Sequence, residues 1–486
     1  MCRTSNTAIT FTLSALIILT STGCGLIPDN QETGAVEPAL LTLKASARYL
    51  NFPVTDSAPE TRIRVSADSK VIDEFDIHLS ENEPDYYVFL DLENYRDKVI
   101  HVDIPALTVD SKGPELITVS DRITASEDLY KEPLRQQFHF SSRRGWNNDP
   151  NGLVYLDGEY HLYYQHNPYG WPWGNMHWGH AVSTDLVHWK ELPIALYPAK
   201  FGDWAYSGSA IIDTDNLSSF QSGDNPVMVA AYTSTGRGEV LTYSNDNGRT
   251  FSEYEGNPII EHKGRDPKLI WYSPGQHWVS AVYHEENNKQ WIAFYSSPDL
   301  KDWTFQSMIE GFYECPELFE IKVEGSQQTK WILYGADGSY MIGAFNGKEF
   351  NPESAKITFH NGDLFYASQT YNNIPEEDGR RIQVAWGRTE SPGMPFNQCM
   401  LFPVNLTLRK TGEGLRLLPA PVREIERLHQ EPISISEQEL EAGFYPAPAP
   451  FGETLHLKAK WEQTEKCMVS LTVAGFDLQI NTADRT

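Results

Sequence analysis

The chain has 486 residues, 40% of them hydrophobic and 12% aromatic, which is enough to build large cores and excludes wholesale disorder. Asp and Glu number 66 against 39 Lys and Arg, and the net charge of −27 repels phosphate backbones and excludes a nucleic-acid binder. Gly 34 without a three-residue period and only five Cys exclude collagenous and disulfide-scaffold classes.

The N terminus predicts export. Residues 8–20 (AITFTLSALIILT) follow Arg3 and lead through small residues to Gly23-Cys24. The run is too short to cross a ~30 Å hydrocarbon layer, yet it suits the apolar region of a secretory signal. A buried core helix is the bland alternative. Cys24 behind small residues reads as a bacterial lipoprotein processing site, although Ser21 stands where such sites usually carry Leu. Residues 1–24 are therefore expected to be a signal peptide and 25–38 a polar tether. Lipidated Cys24 would be the membrane attachment of a cell-envelope lipoprotein, with plain secretion as the alternative. Cys315, Cys399 and Cys467 are too far apart for a disulfide framework or a metal site.

From 39 to 130 the chain reads as short strands. LLTLKASA, TRIRVSA, EFDIHLS, DYYVFLDL, KVIHVDI and ELITVSD are rich in β-branched and aromatic residues, and several alternate in polarity. They predict a small N-terminal β-sandwich of six or seven strands.

From 137 to 410 Trp, Tyr, Gly and Pro become frequent and weak repeats appear. Ser183-Thr-Asp-Leu-Val-His-Trp189 is echoed by Ser244-Asn-Asp-Asn-Gly-Arg-Thr-Phe251 and by Ser297-Pro-Asp-Leu-Lys-Asp-Trp303. A second series opens strand pairs: Asn148-Asp149-Pro150, Ser207-Gly208-Ser209, Arg265-Asp266-Pro267, Glu314-Cys315-Pro316 and Asp363. Asp157-Gly158 in the first pair suits a type I′ hairpin turn. Unit starts at 149, 207, 266, 315 and 363 lie 58, 59, 49 and 48 residues apart. That is the size of a four-stranded blade with its loops, so the region predicts a five-bladed β-propeller in an all-β chain. Residues 411–434 read as a Pro-rich linker. From 435 to 486 LHLKAK, MVSLTVAG and FDLQIN begin a C-terminal β-sandwich, which is too short to be complete, so the chain reads as a fragment or one lacking its last strands.

In a propeller the first strand of each blade lines the axis, so blade-opening residues converge at one mouth. Asp149, Asp266 and Glu314 should therefore meet at the base of one funnel. Crowded acids sort themselves into ionised and protonated partners, which is what glycoside hydrolysis requires of its carboxylates. Each acid also has a bland reading: a turn at Asn-Asp-Pro-Asn-Gly, an Arg265–Asp266 ion pair, and Glu314 with Glu317 as surface acids. Their equivalent positions in three units favour the site.

Trp146, Trp171, Trp173, Trp178 and Trp204 cluster in the same region, and sugar rings stack their C–H faces on such aromatics. Trp146 and Trp173, set among Gly, Pro and Asn, are the stacking candidates, whereas Trp178, Trp189 and Trp303 suit packing. His166, His177, His180 and His188 raise a zinc hypothesis. It is disfavoured because His177 and His180 face opposite sides of a strand and no Cys is nearby. No metal or cofactor is expected.

The motifs FHFSSRRGWNNDPNGLVY, NPYGWPWGNMHWGHAVSTDLVHW, YSGSA, GRDPKLIW, YECPELF and DLFYASQTY, in this order, resemble glycoside hydrolase family 32, the invertases, levanases and inulinases. The resemblance implies a five-bladed propeller followed by a β-sandwich, and retaining hydrolysis of β-fructofuranosides without metal. It implies Asp149 as nucleophile, Glu314 as general acid then base, and Asp266 as the residue that binds ring hydroxyls and stabilises the transition state. Asn148, Gln165, Trp173, Tyr206, Ser207, Arg265 and Trp386 would hold the terminal fructosyl ring. The chain departs from many members at Asn147 (Met), Tyr206 (Phe) and Glu317 (Asp), which touches specificity rather than the acids. The N-terminal module resembles one that precedes the propeller in some bacterial levanase-like members. Fructan or sucrose is the implied partner. An inverting five-bladed arabinanase or xylosidase, and a non-catalytic fructan-binding surface lipoprotein, are the other readings. Glu-Cys-Pro together with Asn-Asp-Pro-Asn-Gly favours the fructosidase over the first, and three intact acids count against the second.

Overall fold

In the strand Thr61–Ala67 the side chains of Ile63, Val65 and Ala67 are buried while Arg62 and Arg64 face water, the period-two pattern that a half-buried strand requires. The computed structural model describes residues 36–430, residue 457 and the strands Met468–Val473 and Phe476–Asn481. Its N-terminal part is built on this alternation. A four-stranded sheet runs in the order Val36–Lys44, Val99–Thr108, Thr61–Ala67, Lys70–Ile77, and a three-stranded sheet in the order Tyr86–Asp91, Tyr49–Val54, Thr118–Ser120. Leu50, Phe52 and Val88 of one sheet share a core with Ile63, Phe75 and Val102 of the other. Each such buried side chain stabilises the module by about 1.5–3 kcal/mol.

Five further sheets follow between Gly145 and Pro421, each opening on one inner strand: Gly145–Leu156, Ala205–Asp213, Gly264–Tyr272, Glu317–Lys322 and Phe365–Thr370. Later strands of each sheet add outward, mostly by hairpins. At Asp157-Gly158 both φ angles are positive, 50° and 84°, as a type I′ turn needs. The Ser-x-Asp repeat is a shared turn into the fourth strand of the first three sheets. Asp185, Asp246 and Asp299 each accept two or more backbone N–H groups from the residues that follow. Leu186, Asn247 and Leu300 all take a left-handed φ there.

Polar bonds tie the inner strands to one another. Gly208 N–H donates to Asn151 Oδ1, Ser209 Oγ donates to the Pro267 carbonyl, and Asn372 N–H donates to the Leu153 carbonyl. Gly208 has no room for a side chain, since a Cβ would lie 2.0 Å from the Ala231 carbonyl oxygen. Lys268, Glu317 and Thr370 join the third, fourth and fifth sheets. Lys268 Nζ lies 2.8 Å from Glu317 Oε1, whose other oxygen accepts from Thr370 N–H and Oγ–H. Both charged side chains are buried, so each depends on the other for solvation.

The C-terminal boundary of this region differs from the sequence expectation. The linker was expected from 411, yet Gly414–Pro421 is a strand paired with Val404–Thr411 along its length at the edge of the fifth sheet. Pro419 and Pro421 suggest a linker, but an edge strand accommodates residues that cannot donate to the ladder. A short 3₁₀ helix, Arg423–Leu428, comes only after it. Met468–Val473 and Phe476–Asn481 pair antiparallel. The expected signal and Cys24, the tether up to residue 35, and the LHLKAK strand apart from Leu457 lie outside the described residues. Residues 36–38, expected in the tether, instead begin the strand Val36–Lys44, where Val36 and Glu37 pair with Thr108 and Leu107.

Candidate active site

Four of the five inner strands carry a register shift near their start: Asn147/Pro150, Ala205/Gly208, Arg265/Lys268 and Tyr366/Gln369. A bulge breaks the alternation of the pleat and re-aims side chains, and here it does so at the same level of four sheets. Asp149, Ser207 and Asp266 sit inside these bulges, and Pro150 and Pro267 suit them because neither has an N–H to place in a ladder. In the fourth sheet Glu314 and Cys315 precede the inner strand with φ of 29° and 42°. Asp266, at φ 68°, and Cys315 both adopt left-handed backbone immediately before a proline, a combination that stores strain. Asp266 is held there by its N–H, which donates to Thr233 Oγ1 at 2.8 Å. Thr233 in turn donates to the buried carboxylate of Glu239.

The three acids meet. The Cys315 thiol lies 3.4 Å from Asp149 Oδ2 and 3.5 Å from Asp266 Oδ2, and the Cys315 N–H donates to Asp266 Oδ2 at 3.0 Å. Asp149 also accepts from Ser207 Oγ at 2.7 Å and from Asn148 Nδ2 at 3.0 Å. Asn148 is oriented by Trp146, whose indole N–H donates to Asn148 Oδ1. Both oxygens of Glu314 are gripped. Arg265 reaches Oε2 through Nε and Nη2 at 3.0 and 2.6 Å, and Tyr366 donates its hydroxyl to Oε1 at 2.6 Å. Arg265 Nη2 also donates to the Tyr313 hydroxyl.

Burial dominates the electrostatics. It pushes the Asp149 carboxyl above the ordinary aspartate range, against the donors Ser207 and Asn148, with the Glu314 charge adding to the rise. Asp266 is pushed up to about 8 by burial, which outweighs Arg265, while the Glu314 and Asp149 charges raise it further. Three carboxyls in one cavity cannot all ionise. The rise to about 8 favours the protonated form of Asp266 at neutral pH, whereas Asp149 has three side-chain donors to stabilise a charge. The cavity can thus present an anion, a neutral acid and a carboxyl clamped between a guanidinium and a phenol.

Asn148, Ser207 and Arg265 touch these acids directly, and Trp146 and Trp386 reach them through Asn148 and Tyr366. Trp146 and Trp386 stand edge to face at 5.9 Å, and Trp386 makes a similar contact with Tyr366. Trp173 is 50% exposed and stands 6.0 Å, edge to face, from Tyr206. Gln165 is buried and its Nε2 donates to the Ala205 carbonyl, so it also ties the first sheet to the second. Cys315, Tyr366, Tyr313 and Thr233 are contacts that the sequence reading did not assign. The first two lie inside the ECP and DLFYASQTY motifs, which was the available signal. Trp178 is fully buried in a core, and Trp189 and Trp303 pack against cores.

The four histidines do not converge. His166 bonds the Trp146 carbonyl, His177 faces Asp73, His180 bonds His161, and His188 bonds Asp185. Among the described residues no cluster of His, Cys, Asp or Glu is arranged to hold a metal ion.

Residues 139–421 match the family model described as "Glycosyl hydrolases family 32 N-terminal domain", and residues 36–129 match a "Domain of unknown function (DUF4980)". A levanase of Bacillus subtilis is 39% identical over 337 residues, 63% of this chain and 49% of its own. The extracellular exo-inulinase inuE of Aspergillus niger is 32% identical over 354 residues, 60% of this chain and 65% of its own. The chain therefore spans about half the length of the first and under two thirds of the second. A fructofuranosidase of Schwanniomyces occidentalis complexed with fructose superposes with a TM-score of 0.55 at 30% identity, covering 62% of this chain and 65% of that one.

Proposed function

The chain belongs to glycosyl hydrolase family 32, and from that premise we propose that it is a retaining β-fructosidase acting on levan, inulin, sucrose or related fructans. The observation that carries the reading is the sharing of Cys315 between Asp149 and Asp266, with Glu314 one residue before it. That cluster supplies the two carboxyl roles that glycoside hydrolysis needs and a third acid for the sugar.

In the first step Asp149 attacks the anomeric carbon of the fructosyl unit while Glu314 gives its proton to the departing oxygen. The glycosidic bond breaks and a fructosyl ester forms on Asp149. In the second step Glu314, now a carboxylate, takes a proton from water. The water oxygen displaces Asp149 and frees fructose with its configuration retained. The Arg265 guanidinium on one oxygen and the Tyr366 hydroxyl on the other fix the orientation of Glu314. Asp266 binds ring hydroxyls and stabilises the oxocarbenium-like transition state. Asn148 and Ser207, which donate to Asp149, and Gln165 would hold the ring hydroxyls. Trp146, Trp173, Tyr206 and Trp386 form walls against which an apolar sugar face can stack.

The same reading takes the five sheets as blades of one propeller, supported by the polar bonds between successive inner strands and from the fifth sheet back to the first. The strand pair Met468–Val473 and Phe476–Asn481 is taken as part of a C-terminal sandwich. Residues 1–24 are taken as an export signal, with lipidation at Cys24. Fructose release from levan, inulin and sucrose, measured side by side, tests the activity. Asp149→Asn should abolish release on all three while leaving the circular dichroism spectrum unchanged. Retained turnover in that variant would remove the nucleophile assignment.

A further inference from the structure

The loop 168–176 that carries Trp173 is not held by its own sheet alone. It leaves the strand Glu159–Asn167 and returns at His177–Ser183, and in between it is gripped by the strand Lys70–Ile77 of the N-terminal module. Three contacts make the grip. The Tyr169 ring stacks on Phe75 with centroids 3.5 Å apart and planes within 14°, and Tyr169 is fully buried in the N-terminal core. The Tyr169 hydroxyl donates to the buried carboxylate of Asp73, which also faces His177. The Asn175 side chain pairs with the Asp76 backbone as a neighbouring strand would, accepting from Asp76 N–H at 2.9 Å and donating to its carbonyl at 2.8 Å.

These contacts sit on both sides of Trp173 in the loop. Trp173 itself stays half in water and stands against Tyr206, which borders the Ser207–Asp149 pair. The loop holds two prolines, Pro168 and Pro172, but Gly170 and Gly174 flank its tryptophans and leave it conformations to lose. An anchor that removes them beforehand lowers the cost of ordering it on a substrate. The acids themselves belong to the propeller-side sheets and touch none of the three contacts.

We infer that the N-terminal module is a positioning device for the candidate active site: through Asp73, Phe75 and the Asp76 backbone it pre-orders the loop bearing Trp173 and so sets affinity for the fructosyl substrate rather than the rate of bond cleavage. The inference rests on the fructosidase reading for its substrate, and it gives the module matched as a domain of unknown function a role in the reaction. Asp73, Asn175 and Tyr169 are positioning residues, since they act through Trp173.

The test uses the full chain with Asn175→Ala and, separately, Asp73→Asn, with Arg64→Ala on the outer face of the same module as control. Steady-state kinetics on levan and sucrose are read together with hydrogen–deuterium exchange of peptides covering 168–176. In both loop variants KM should rise roughly tenfold with kcat within about twofold, the pattern for loss of binding shared by ground and transition states. Exchange in 168–176 should quicken while the strand Gly145–Leu156 keeps its protection, and the control should match wild type. Unchanged KM and exchange in both variants would overturn the inference, as would a fall in kcat with KM unmoved. Wild-type chain releasing no fructose from any substrate would instead refute the activity reading, and the exchange data would still decide whether the module orders the loop.

Discussion

Tyr366 donates its hydroxyl to Glu314 Oε1 at 2.6 Å, opposite the Arg265 guanidinium on Oε2. The phenol comes from the fifth sheet and the carboxyl from the segment entering the fourth, so this bond fixes the proposed proton donor across a sheet boundary. Tyr366→Phe keeps the ring against Trp386 and removes only the donor. A hydrogen bond to a charged group contributes about 1.5–3 kcal/mol, so kcat/KM should fall about 10- to 100-fold. Kinetics on sucrose check this, and a change under threefold would separate Tyr366 from the acid.

Asp266 makes stability depend on pH with a definite sign. Its folded-state pKa of about 8 lies above the ordinary 3.8, so between those values the folded chain holds a proton that the unfolded chain releases. Its contribution is full below pH 4 and lost as pH rises to 8. Asp266→Asn does not titrate, so its Tm should match wild type near pH 4 and exceed it by at least about 3 °C at pH 8. Thermal melts across that range check it.

The Lys268–Glu317 pair is buried at the meeting of three sheets. Glu317→Ala strands an ammonium and two Thr370 donors, and should cost about 3–5 kcal/mol in urea unfolding. Lys268→Met combined with Glu317→Leu should recover a large part of that loss, because it removes the stranded charge.

Asn147 is fully buried and both polar atoms of its amide lack a protein partner. Replacing such a group by an apolar one of similar size removes an uncompensated desolvation, so Asn147→Met should stabilise the chain by about 1–3 kcal/mol. Equilibrium unfolding measures it directly.

Much of the arrangement was legible in the residues themselves. Asp149-Pro and Asp266-Pro sit in bulges of their strands and Glu314-Cys-Pro leads into one, and a residue without an N–H at such a point interrupts the pleat and re-aims its neighbours. Strands such as Thr61–Ala67 and Tyr86–Asp91 alternate cleanly and could be read, whereas Tyr49–Val54, buried along nearly its whole length, carries no such alternation and was missed. Contacts between distant elements could not. Nothing local to Cys315 says that its thiol lies between two carboxylates, and nothing local to Tyr366 marks its partner. The grip of Asn175 on Asp76 joins residues 99 apart in sequence. Pro419 and Pro421 misled for the opposite reason, since their local signal is strong but an edge strand tolerates it.

The central claim is that Asp149 forms an ester with the fructosyl unit and that Glu314 serves both steps. The anomer of fructose first released from levan, followed by nuclear magnetic resonance before mutarotation, tests this most directly. Two displacements at one carbon predict β-fructofuranose at the earliest time points. The α anomer appearing first would mean a single displacement by water and would contradict the ester on Asp149.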